Sequence, residues 1–296
     1  MKHEVFPADA ERGGASALVA SAELGIDEFR QIAAIMQAEA RIHLVETKIT
    51  LVHSRLARRL RERGLTRFKD YVALVNEDEE ERRAMVVALT TNHTHFFREA
   101  HHFDHFRGQV LPVLQGRARV GQPVRIWSAG CSSGEEVYSI AMCLAGDAQA
   151  SANWLKTSDV KLLATDISPP VVDAVRRATY SAATVEPIPQ TYRAKWLRPN
   201  GDNFVIADEL RALVTARVLN LFASWPMRQK YDAIFCRNVM IYFDDRAKAE
   251  LEERLVDMLA PGGHLYIGHS ERLIGAAATR MEAVGQTIYR KSGGGQ

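Results

Sequence analysis

From about residue 123 onward, short apolar runs alternate with helical segments, and this alternation constrains the fold more than any other feature. Helices are expected between the runs, over 135–144, 170–178 and 246–259. Such alternation predicts a doubly wound parallel sheet of the Rossmann-like type. The expected parallel strands are 124–128, 160–164, 214–221, 233–236 and 264–267, and a last antiparallel strand is expected over 286–289.

The first third of the chain has a different pattern, because its apolar residues recur at helical spacing. Phe29, Ile32, Ala33 and Met36 would lie on one face of a helix. Similar faces follow as far as about residue 94, and no strand signal precedes residue 123. The sequence therefore predicts an α/β protein in which a small N-terminal all-α domain precedes the Rossmann-like domain.

One stretch, residues 181–213, interrupts the alternation. It holds three prolines and the pair Asn200-Gly201 before a strand-like run at 203–206. Turn residues beside a strand-like run predict a hairpin, here in a small inserted β-subdomain. The expected organisation is a flexible tail 1–22, a helical domain 23–92, a linker region 93–122, a Rossmann-like domain 123–291 and a flexible C-terminus 292–296.

Composition and charge narrow the class of protein. Of the 296 residues, 47% are apolar and 25% are charged, which are ordinary proportions for a globular protein. The formal net charge of +2 does not require nucleic acid as a partner. No apolar run could span a bilayer, and the first thirty residues have no signal-peptide core, so we expect a cytoplasmic protein without membrane insertion. The three cysteines do not have the spacing of a disulfide framework.

Polar side chains follow the predicted strands, where open α/β sheets bind ligands. Asp166 follows the second strand and can accept hydrogen bonds from both hydroxyls of a ribose. Asn220 and Asn238 can donate and accept, which suits an adenine edge or the amino and carboxylate groups of an amino acid. Glu135 can offset an ammonium or sulfonium charge. Two simpler interpretations stay open, with Asp166 as a helix cap and Glu135 as a complement to the helix dipole.

Two further segments indicate the kind of ligand. The segment 92–99 (NHTHFFRE) places an amide, a hydroxyl and an arginine among aromatic residues. About thirty residues later, 125–136 (RIWSAGCSSGEE) contains a tight turn where backbone can approach a ligand. Gly130 and Gly134 do not complete the dinucleotide-binding pattern, and no P-loop lysine follows them. We therefore expect a small, zwitterionic, nucleoside-containing cofactor without phosphate, held between two parts of the chain.

Four motifs in order resemble one family. The segments 92–99 (NHTHFFRE), 132–139 (SSGEEVYS), 236–243 (CRNVMIYF) and 268–271 (GHSE) are similar to those of the chemoreceptor glutamate O-methyltransferases of bacterial chemotaxis. The resemblance covers about residues 24–290 and implies S-adenosylmethionine as cofactor and S-adenosylhomocysteine as product. It also implies that nine residues contact the cofactor: Asn92, Thr94, Arg98, Glu135, Asp166, Asn220, Leu221, Asn238 and Val239.

The implied reaction transfers a methyl group from a sulfonium to a glutamate side chain and forms a methyl ester. A glutamate with a pKa near ~4.3 is already ionised at neutral pH, so no general base is required. Two residues are the predicted catalytic ones. Arg98 is assigned to the methionine carboxylate of the cofactor as a bidentate partner. Tyr242 is the candidate for orienting the substrate carboxylate, and the alternative is a half-buried aromatic with a structural role.

A basic stretch lies between residues 41 and 64, where seven Lys or Arg accompany two acids. Arg55, Arg58 and Arg59 can share one broad helical face. A solvated face balanced by the acidic run 77–81 is one interpretation, and a nucleic-acid surface fits less well because interleaved aromatics are lacking. Since the resemblance implies a glutamate-rich receptor helix as substrate, we expect these arginines to dock it through complementary charge.

The resemblance carries two more expectations. The inserted subdomain can tether the enzyme to a short peptide at the receptor C-terminus, with a purely structural hairpin as the alternative. The protein is expected to act as a monomer. The histidines between residues 93 and 105 lack a convincing ligand set, so no metal is expected. Two other functions stay open: a methyltransferase of a small molecule or RNA, and a sensing module that binds the cofactor without transferring the methyl group.

Overall fold

The structure, a computed structural model, describes residues 23–148 and 150–293. The chain divides into two compact units, one ending at Thr91 and the other beginning at Asn92. The predicted tail 1–22 and residues 294–296 of the predicted C-terminus lie outside the described residues. Within the described ranges, no helix is long and apolar enough to cross a membrane.

The first unit is all-α, as predicted. Apolar residues at helical spacing form its core, and Phe29, Ile32 and Met36 are almost fully buried. Asp78 separates the last two helices, and its carboxylate caps the final one by accepting hydrogen bonds from the amides of Glu80 and Glu81 (2.8 and 3.1 Å). The helices are α1 (Ile26–Ala40), α2 (Ile49–Glu62), α3 (Phe68–Glu77) and α4 (Glu79–Leu89), with a 3₁₀ turn at Glu46–Lys48.

The second unit contains two sheets. Its strands are β1 (Val124–Ala129), β2 (Val160–Asp166), β3 (Thr179–Ser181), β4 (Leu197–Asn200), β5 (Asn203–Ile206), β6 (Val214–Val218), β7 (Tyr231–Cys236), β8 (Leu259–Ile267), β9 (Met281–Gly285) and β10 (Ile288–Lys291). Seven strands form one sheet in the order β6-β2-β1-β7-β8-β10-β9, and β3-β5-β4 form the other. In the large sheet β6, β2, β1, β7 and β8 are parallel, whereas β10 is antiparallel to both neighbours. The predicted Rossmann-like fold with an antiparallel last strand is confirmed.

Helices connect the strands of the second unit. They are α5 (Ala100–His105), α6 (Leu111–Arg119), α7 (Glu135–Ala145), α8 (Asn153–Thr157), α9 (Pro169–Arg177), α10 (Ala182–Val185), α11 (Gln190–Trp196), α12 (Asp208–Arg211) and α13 (Asp245–Met258). A π-helical turn spans Phe106–Val110, and 3₁₀ turns span Ala150–Ala152, Met240–Tyr242 and Ala276–Arg280. The α7 helix is apolar and buried over nearly its whole length, so it forms the centre of the core beside β1.

The chain order reverses beside β1. Ser128 of β1 pairs with Ala164 of β2 on one side and with Phe235 of β7 on the other. From β1 the chain moves outward through β2 to β6 and then returns to β7. The crevice beyond the carboxyl ends of β1 and β7 is therefore the topological switch point, where sheets of this kind bind ligands.

Four features differ from the sequence expectations. The strand expected over 214–221 ends at Val218, which leaves Asn220 and Leu221 in the following loop. The edge strand β9 was not predicted, because it is largely exposed and has no apolar run. The small sheet begins at Thr179, before the predicted start of the inserted subdomain at residue 181. The region 93–122, expected as a linker, contains α5 and α6.

Candidate functional site

The end of β2 carries Asp166, which is 8% exposed. One carboxylate oxygen accepts a hydrogen bond from the Ser132 amide at 2.9 Å, and the other accepts one from the Ser168 amide at 3.0 Å. Burial raises the pKa of Asp166 above its ordinary value, and these two amides oppose that effect. The bond to Ser168 is a local turn contact, and Ser168 rather than Asp166 is the N-cap of α9. Because each oxygen keeps a further lone pair, the carboxylate can also accept from two hydroxyls.

The turn after β1 lies against the loop after β7. Gly130 has a φ of +77°, and a Cβ built there would lie 2.4 Å from Cγ2 of Val239. No residue with a side chain fits that position without displacing Val239. Glycine thus lets the backbone of this turn approach Val239 closely at the switch point. The Ser132 amide of the same turn donates to Asp166 and so joins the turn to the end of β2.

Hydrogen bonds join the segment 92–99 to the same turn. The Ser132 hydroxyl donates to the Asn92 carbonyl at 2.8 Å, and the Phe97 amide donates to the Ser139 hydroxyl of α7 at 3.0 Å. Phe97 and Glu99 both have left-handed backbone conformations, with φ of 55° and 58°. The chain bends sharply there, so the segment runs back beside the strand ends.

Three predicted site residues lie on this segment. Asn92 is exposed, and Thr94 and Arg98 are half-buried. The Arg98 guanidinium donates to the His93 carbonyl at 3.0 Å. This bond uses one N–H of Nη1, and the planar group has five N–H donors in all. Arg98 therefore retains donors for a carboxylate.

Glu135 begins α7 and is 5% exposed. Its carboxylate accepts a hydrogen bond from the Ser133 hydroxyl at 2.7 Å. Burial raises the pKa of Glu135, and the hydroxyl opposes that effect. A buried carboxylate in the first turn of a helix gains from the helix dipole and would gain more from a nearby cation. Both interpretations of Glu135 are thus compatible with its surroundings.

The loop after β6 reaches the end of β2. The Leu219 amide donates to the Asp166 carbonyl at 2.9 Å, which sets the next two residues beside that strand end. The Asn220 side-chain oxygen accepts a hydrogen bond from the Phe222 amide at 2.9 Å, and Leu221 is buried. These contacts bring Asn220 and Leu221 to the same edge of the sheet as Asp166.

On the other side of the switch point, Asn238 and Val239 follow β7. Asn238 has a φ of 58°, and its amide donates to the Glu271 carboxylate at 3.1 Å. Tyr242 ends the adjoining 3₁₀ turn and is half-buried. Within residues 23–148 and 150–293, its hydroxyl makes no hydrogen bond, so it is available to a substrate carboxylate.

Sequence reasoning missed a buried charge cluster behind this loop. The Arg237 guanidinium lies 3.3 Å from the Glu99 carboxylate and 3.1 Å from that of Glu136, with its carbon 5.5 Å from the Phe103 ring centre. It also donates to the Arg98 carbonyl. The available signal was the arginine directly after an apolar strand, with a glutamate closing the segment 92–99. Arg237 thus joins that segment to the end of β7.

The three predicted docking arginines lie on α2 of the first unit. Arg55 donates to the carbonyls of Leu89 and Thr90 at 2.7 and 2.9 Å, where α4 ends. Arg59 pairs at 2.5 Å with Glu81, whose side chain is fully buried. Arg58 is 79% exposed and contacts Glu62, its i+4 neighbour, at 2.8 Å. Arg55 and Arg59 therefore support the helical unit, and Arg58 alone of the three is mainly exposed.

In the described parts of the chain, no group of three or more His, Cys, Asp or Glu residues is arranged to hold a metal ion. The neighbouring rings of His105 and His264, with centres 5.5 Å apart, do not form such a group.

Known proteins resemble this chain over most of its length. The family model described as "CheR methyltransferase, SAM binding domain" matches residues 92–290, and "CheR methyltransferase, all-alpha domain" matches residues 27–90. A probable chemotaxis protein methyltransferase of Rhizobium etli is 42% identical, covering 86% of this chain and 96% of the relative. Chemotaxis protein methyltransferase 2 of Pseudomonas aeruginosa is 40% identical (89% and 92% covered), and the Escherichia coli chemotaxis protein methyltransferase is 39% identical (89% and 90%).

Proposed function

The chain belongs to the CheR methyltransferase family, and on that premise we propose that it methylates glutamate side chains of bacterial chemoreceptors, using S-adenosylmethionine. The product is a glutamate methyl ester, the modification that adapts chemoreceptors in chemotaxis. One observation about the site carries the proposal: Asp166, the turn at Gly130 and the segment 92–99 meet at the switch point through Ser132. These are the three parts that a phosphate-free nucleoside cofactor needs.

The residues at the switch point fit S-adenosylmethionine. The close approach of Gly130 to Val239 leaves bare backbone at the crevice, and no P-loop lysine is present to bind phosphate. Asp166 would accept from the ribose hydroxyls, with Asn220 and Leu221 on the nucleoside side. Arg98 would pair with the methionine carboxylate, and Glu135 would offset the ammonium or sulfonium. Asn92, Thr94, Asn238 and Val239 complete the proposed contacts.

The chemistry needs positioning and dryness more than acid–base catalysis. When bound, S-adenosylmethionine supplies an electrophilic methyl group on a sulfonium. A glutamate carboxylate is already ionised at neutral pH, so the protein has to align its oxygen with the methyl carbon at about 3 Å and exclude water. Opposite charges are neutralised in this step, which a dry site favours. Tyr242 would orient the substrate carboxylate by a neutral hydrogen bond, and Arg98 would stay with the cofactor.

For receptor docking, we propose Arg58 as the principal contact among the three arginines of α2. Arg55 and Arg59 have structural partners within the first unit, whereas Arg58 has one exposed neighbour. An exposed guanidinium can exchange Glu62 for a glutamate of an acidic receptor helix at little cost. Complementary charge of this kind raises the association rate and falls with added salt.

We propose that a peptide at the receptor C-terminus binds the inserted subdomain at the edge of β3 rather than at the edge of β4. In the antiparallel ladder, the backbone groups of Leu197 and Pro199 in β4 point away from β5, towards the open edge. The Leu197 amide already donates to the Arg193 carbonyl, and Pro199 has no N–H. On the opposite edge of the small sheet, the backbone amides of Thr179 and Ser181 in β3 point outward, away from β5. A receptor C-terminal peptide would therefore add beside β3.

The proposal is tested by offering different acceptors to the protein with methyl-labelled S-adenosylmethionine. Receptor-containing membranes should become labelled, while bulk RNA and small-molecule extracts should not. Receptors with and without their C-terminal peptide separate the tether from the chemistry, because tethering raises local substrate concentration without changing the site. Faster labelling of the tailed receptor, lost in a Thr179→Pro variant that still binds S-adenosylhomocysteine, is expected. Equal rates on both receptors would leave the hairpin a structural role.

A further inference from the structure

We infer that Glu99 is a positioning residue that fixes the side-chain amide of Asn238, so that the amide oxygen is offered to the cofactor as a hydrogen-bond acceptor. The site would then prefer ligands that carry a donor at this point. This inference rests on the proposed placement of Asn238 in the cofactor site, and it assigns a role to a residue outside the predicted contacts.

The backbone of Asn238 is held first. Its left-handed conformation is uncommon for a residue other than glycine, although asparagine tolerates it better than most. The buried carboxylate of Glu271 secures it by accepting from the amides of Asn238 and Ile241 at 3.1 and 3.2 Å, and from that of Gly268 at 2.5 Å. Glu271 thus binds the loop after β7 to the turn after β8.

The side chain of Asn238 has little room to move. A Cβ built on Gly268 would lie 2.5 Å from the Asn238 side-chain nitrogen and 2.7 Å from its backbone nitrogen. The amide group therefore packs directly against the backbone of the turn after β8. Packing alone does not distinguish the two ends of an amide, because nitrogen and oxygen are nearly the same size.

Glu99 makes that distinction. Its carboxylate oxygen Oε1 lies 3.4 Å from Nδ2 of Asn238 and also accepts from the His269 amide and ring at 3.2 Å each. An ionised carboxylate only accepts hydrogen bonds, so the reversed amide would set oxygen against oxygen. The Asn238 nitrogen must then face Glu99, and the oxygen must face away from it.

Arg237 keeps Glu99 ionised. Burial alone would raise the pKa of the Glu99 carboxyl, but the Arg237 guanidinium at 3.3 Å and the hydrogen bonds from His269 lower it to about 2. Glu99 is thus an acceptor throughout the physiological range. Arg237 contacts Oε2 of Glu99, whereas Oε1 of the same carboxylate faces Asn238. Arg237 is itself held by its second ion pair, with Glu136.

The amide oxygen of Asn238 has no hydrogen-bond partner among the described residues. Asn238 is half-buried, so a ligand can reach this oxygen, and a ligand that covers it without supplying a donor would leave it unpaired at a cost. S-adenosylhomocysteine has two such donors that a short amide could reach: the amino group of the adenine and the α-ammonium of the amino acid. One of these two groups is the expected partner of Asn238.

Binding of three ligands tests the inference by calorimetry. S-inosylhomocysteine replaces the adenine amino group by a carbonyl, and the deaminated analogue replaces the α-ammonium by hydrogen. In the wild-type protein, one analogue should bind about tenfold weaker than S-adenosylhomocysteine, or about 1.4 kcal/mol. In Glu99→Gln, whose amide can pair with either end of Asn238, that ratio should fall to about threefold or less.

Controls separate orientation from support of the fold. Glu136→Gln breaks the other ion pair of Arg237 without touching Asn238, so it should keep the wild-type ratio. Glu99→Asp keeps the charge beside Arg237 but withdraws it from Asn238, and it carries the test if Glu99→Gln does not fold. Loss of fold support would weaken all three ligands equally and leave the ratio unchanged.

Three results would overturn the inference. The first is a wild-type ratio retained in Glu99→Gln or Glu99→Asp, and the second is equal binding of all three ligands by the wild type. The third is Asn238→Ala with unchanged affinity for S-adenosylhomocysteine, which would remove Asn238 from the proposed cofactor site as well. If Asn238→Ala weakens binding while the Glu99 variants keep the ratio, the site assignment stands and Glu99 has no orienting role.

Discussion

The carboxylate of Asp166, at the end of β2, accepts a hydrogen bond from the backbone amide of Ser132, 2.9 Å away in the turn after β1. The Ser132 hydroxyl in turn donates to the carbonyl of Asn92. One residue therefore joins the proposed ribose acceptor to the segment that carries Arg98. A cofactor bound here would contact all three parts at once, so damage to one of them should weaken binding as a whole.

Asp166→Ala should weaken binding of S-adenosylhomocysteine by about 10- to 100-fold, since hydrogen bonds to a charged group contribute about 1.5–3 kcal/mol. Calorimetric titration measures the change. Asp173→Ala is the matched control, because Asp173 lies on the following helix, is 53% exposed and pairs with Arg176. If Asp166→Ala bound the product as tightly as Asp173→Ala, Asp166 would have no place in the cofactor site.

Arg98→Ala should weaken binding of S-adenosylhomocysteine but leave binding of 5′-methylthioadenosine nearly unchanged. The second ligand lacks the amino-acid part, so it cannot use a bidentate pair with the guanidinium. Arg98→Lys should recover part of the loss, because lysine supplies the charge without the planar fork. An equal loss for both ligands would place Arg98 outside the carboxylate subsite.

Arg59→Ala should lower the free energy of unfolding by about 2–3 kcal/mol, because it takes a cation from the buried carboxylate of Glu81. The loss is smaller than for a buried charge left without any partner, because Arg63 and Tyr71 still contact Glu81. Arg58→Ala removes an exposed pair and should change stability by no more than about 0.5 kcal/mol. Denaturant unfolding of the two variants, which differ by one position on α2, decides the point.

Arg58→Ala also tests receptor docking, because it should leave the fold intact. Arg58→Ala should slow receptor methylation at low salt while its affinity for S-adenosylhomocysteine is unchanged. Added salt should slow the wild type until it matches the variant. A wild-type rate that does not respond to salt would rule out docking by complementary charge.

Stability should fall in mild acid because of His264 on β8. Burial, helped by His105 and Arg290, lowers the pKa of His264 to about 4. The unfolded chain, with a histidine pKa near ~6.5, binds this proton first, so the stabilisation is complete above about pH 6.5 and is lost as the pH falls towards 4. His264→Phe, which keeps a ring and does not titrate, should reduce this loss by on the order of 2 kcal/mol. An unchanged pH profile of unfolding would contradict the assignment.

The sequence was sufficient to predict the helical first unit, the parallel strands and the polar residues at the strand ends. Those features are local, because periodicity and the residues that follow each strand are visible without knowing the partners. The exposed edge strand β9 has no such signal. The early end of β6 at Val218 is equally hidden, since Leu219 continues the apolar pattern while its amide binds the carbonyl of Asp166.

Long-range pairing explains what could not be predicted about the site. Arg59 appears as one more cation of a basic face, and its buried partner Glu81 lies on another helix. Likewise, Glu99 and Arg237 are 138 positions apart by their numbers, and neither residue alone indicates a buried ion pair. Roles of this kind depend on which segments meet at a strand end, and a single sequence does not contain that information.

If the acceptor atom is a glutamate carboxylate oxygen, the transferred methyl group should be released by mild alkali, so its chemical stability is the property to measure. Receptor-containing membranes labelled from methyl-labelled S-adenosylmethionine would be exposed to mild alkali, and volatile methanol would be collected. We predict that nearly all the label leaves as methanol, and that Asp166→Ala transfers far less of it. Label that stays on the receptor through alkali, as an N-methyl or S-methyl group would, or no transfer to receptor by the wild type, would contradict the account.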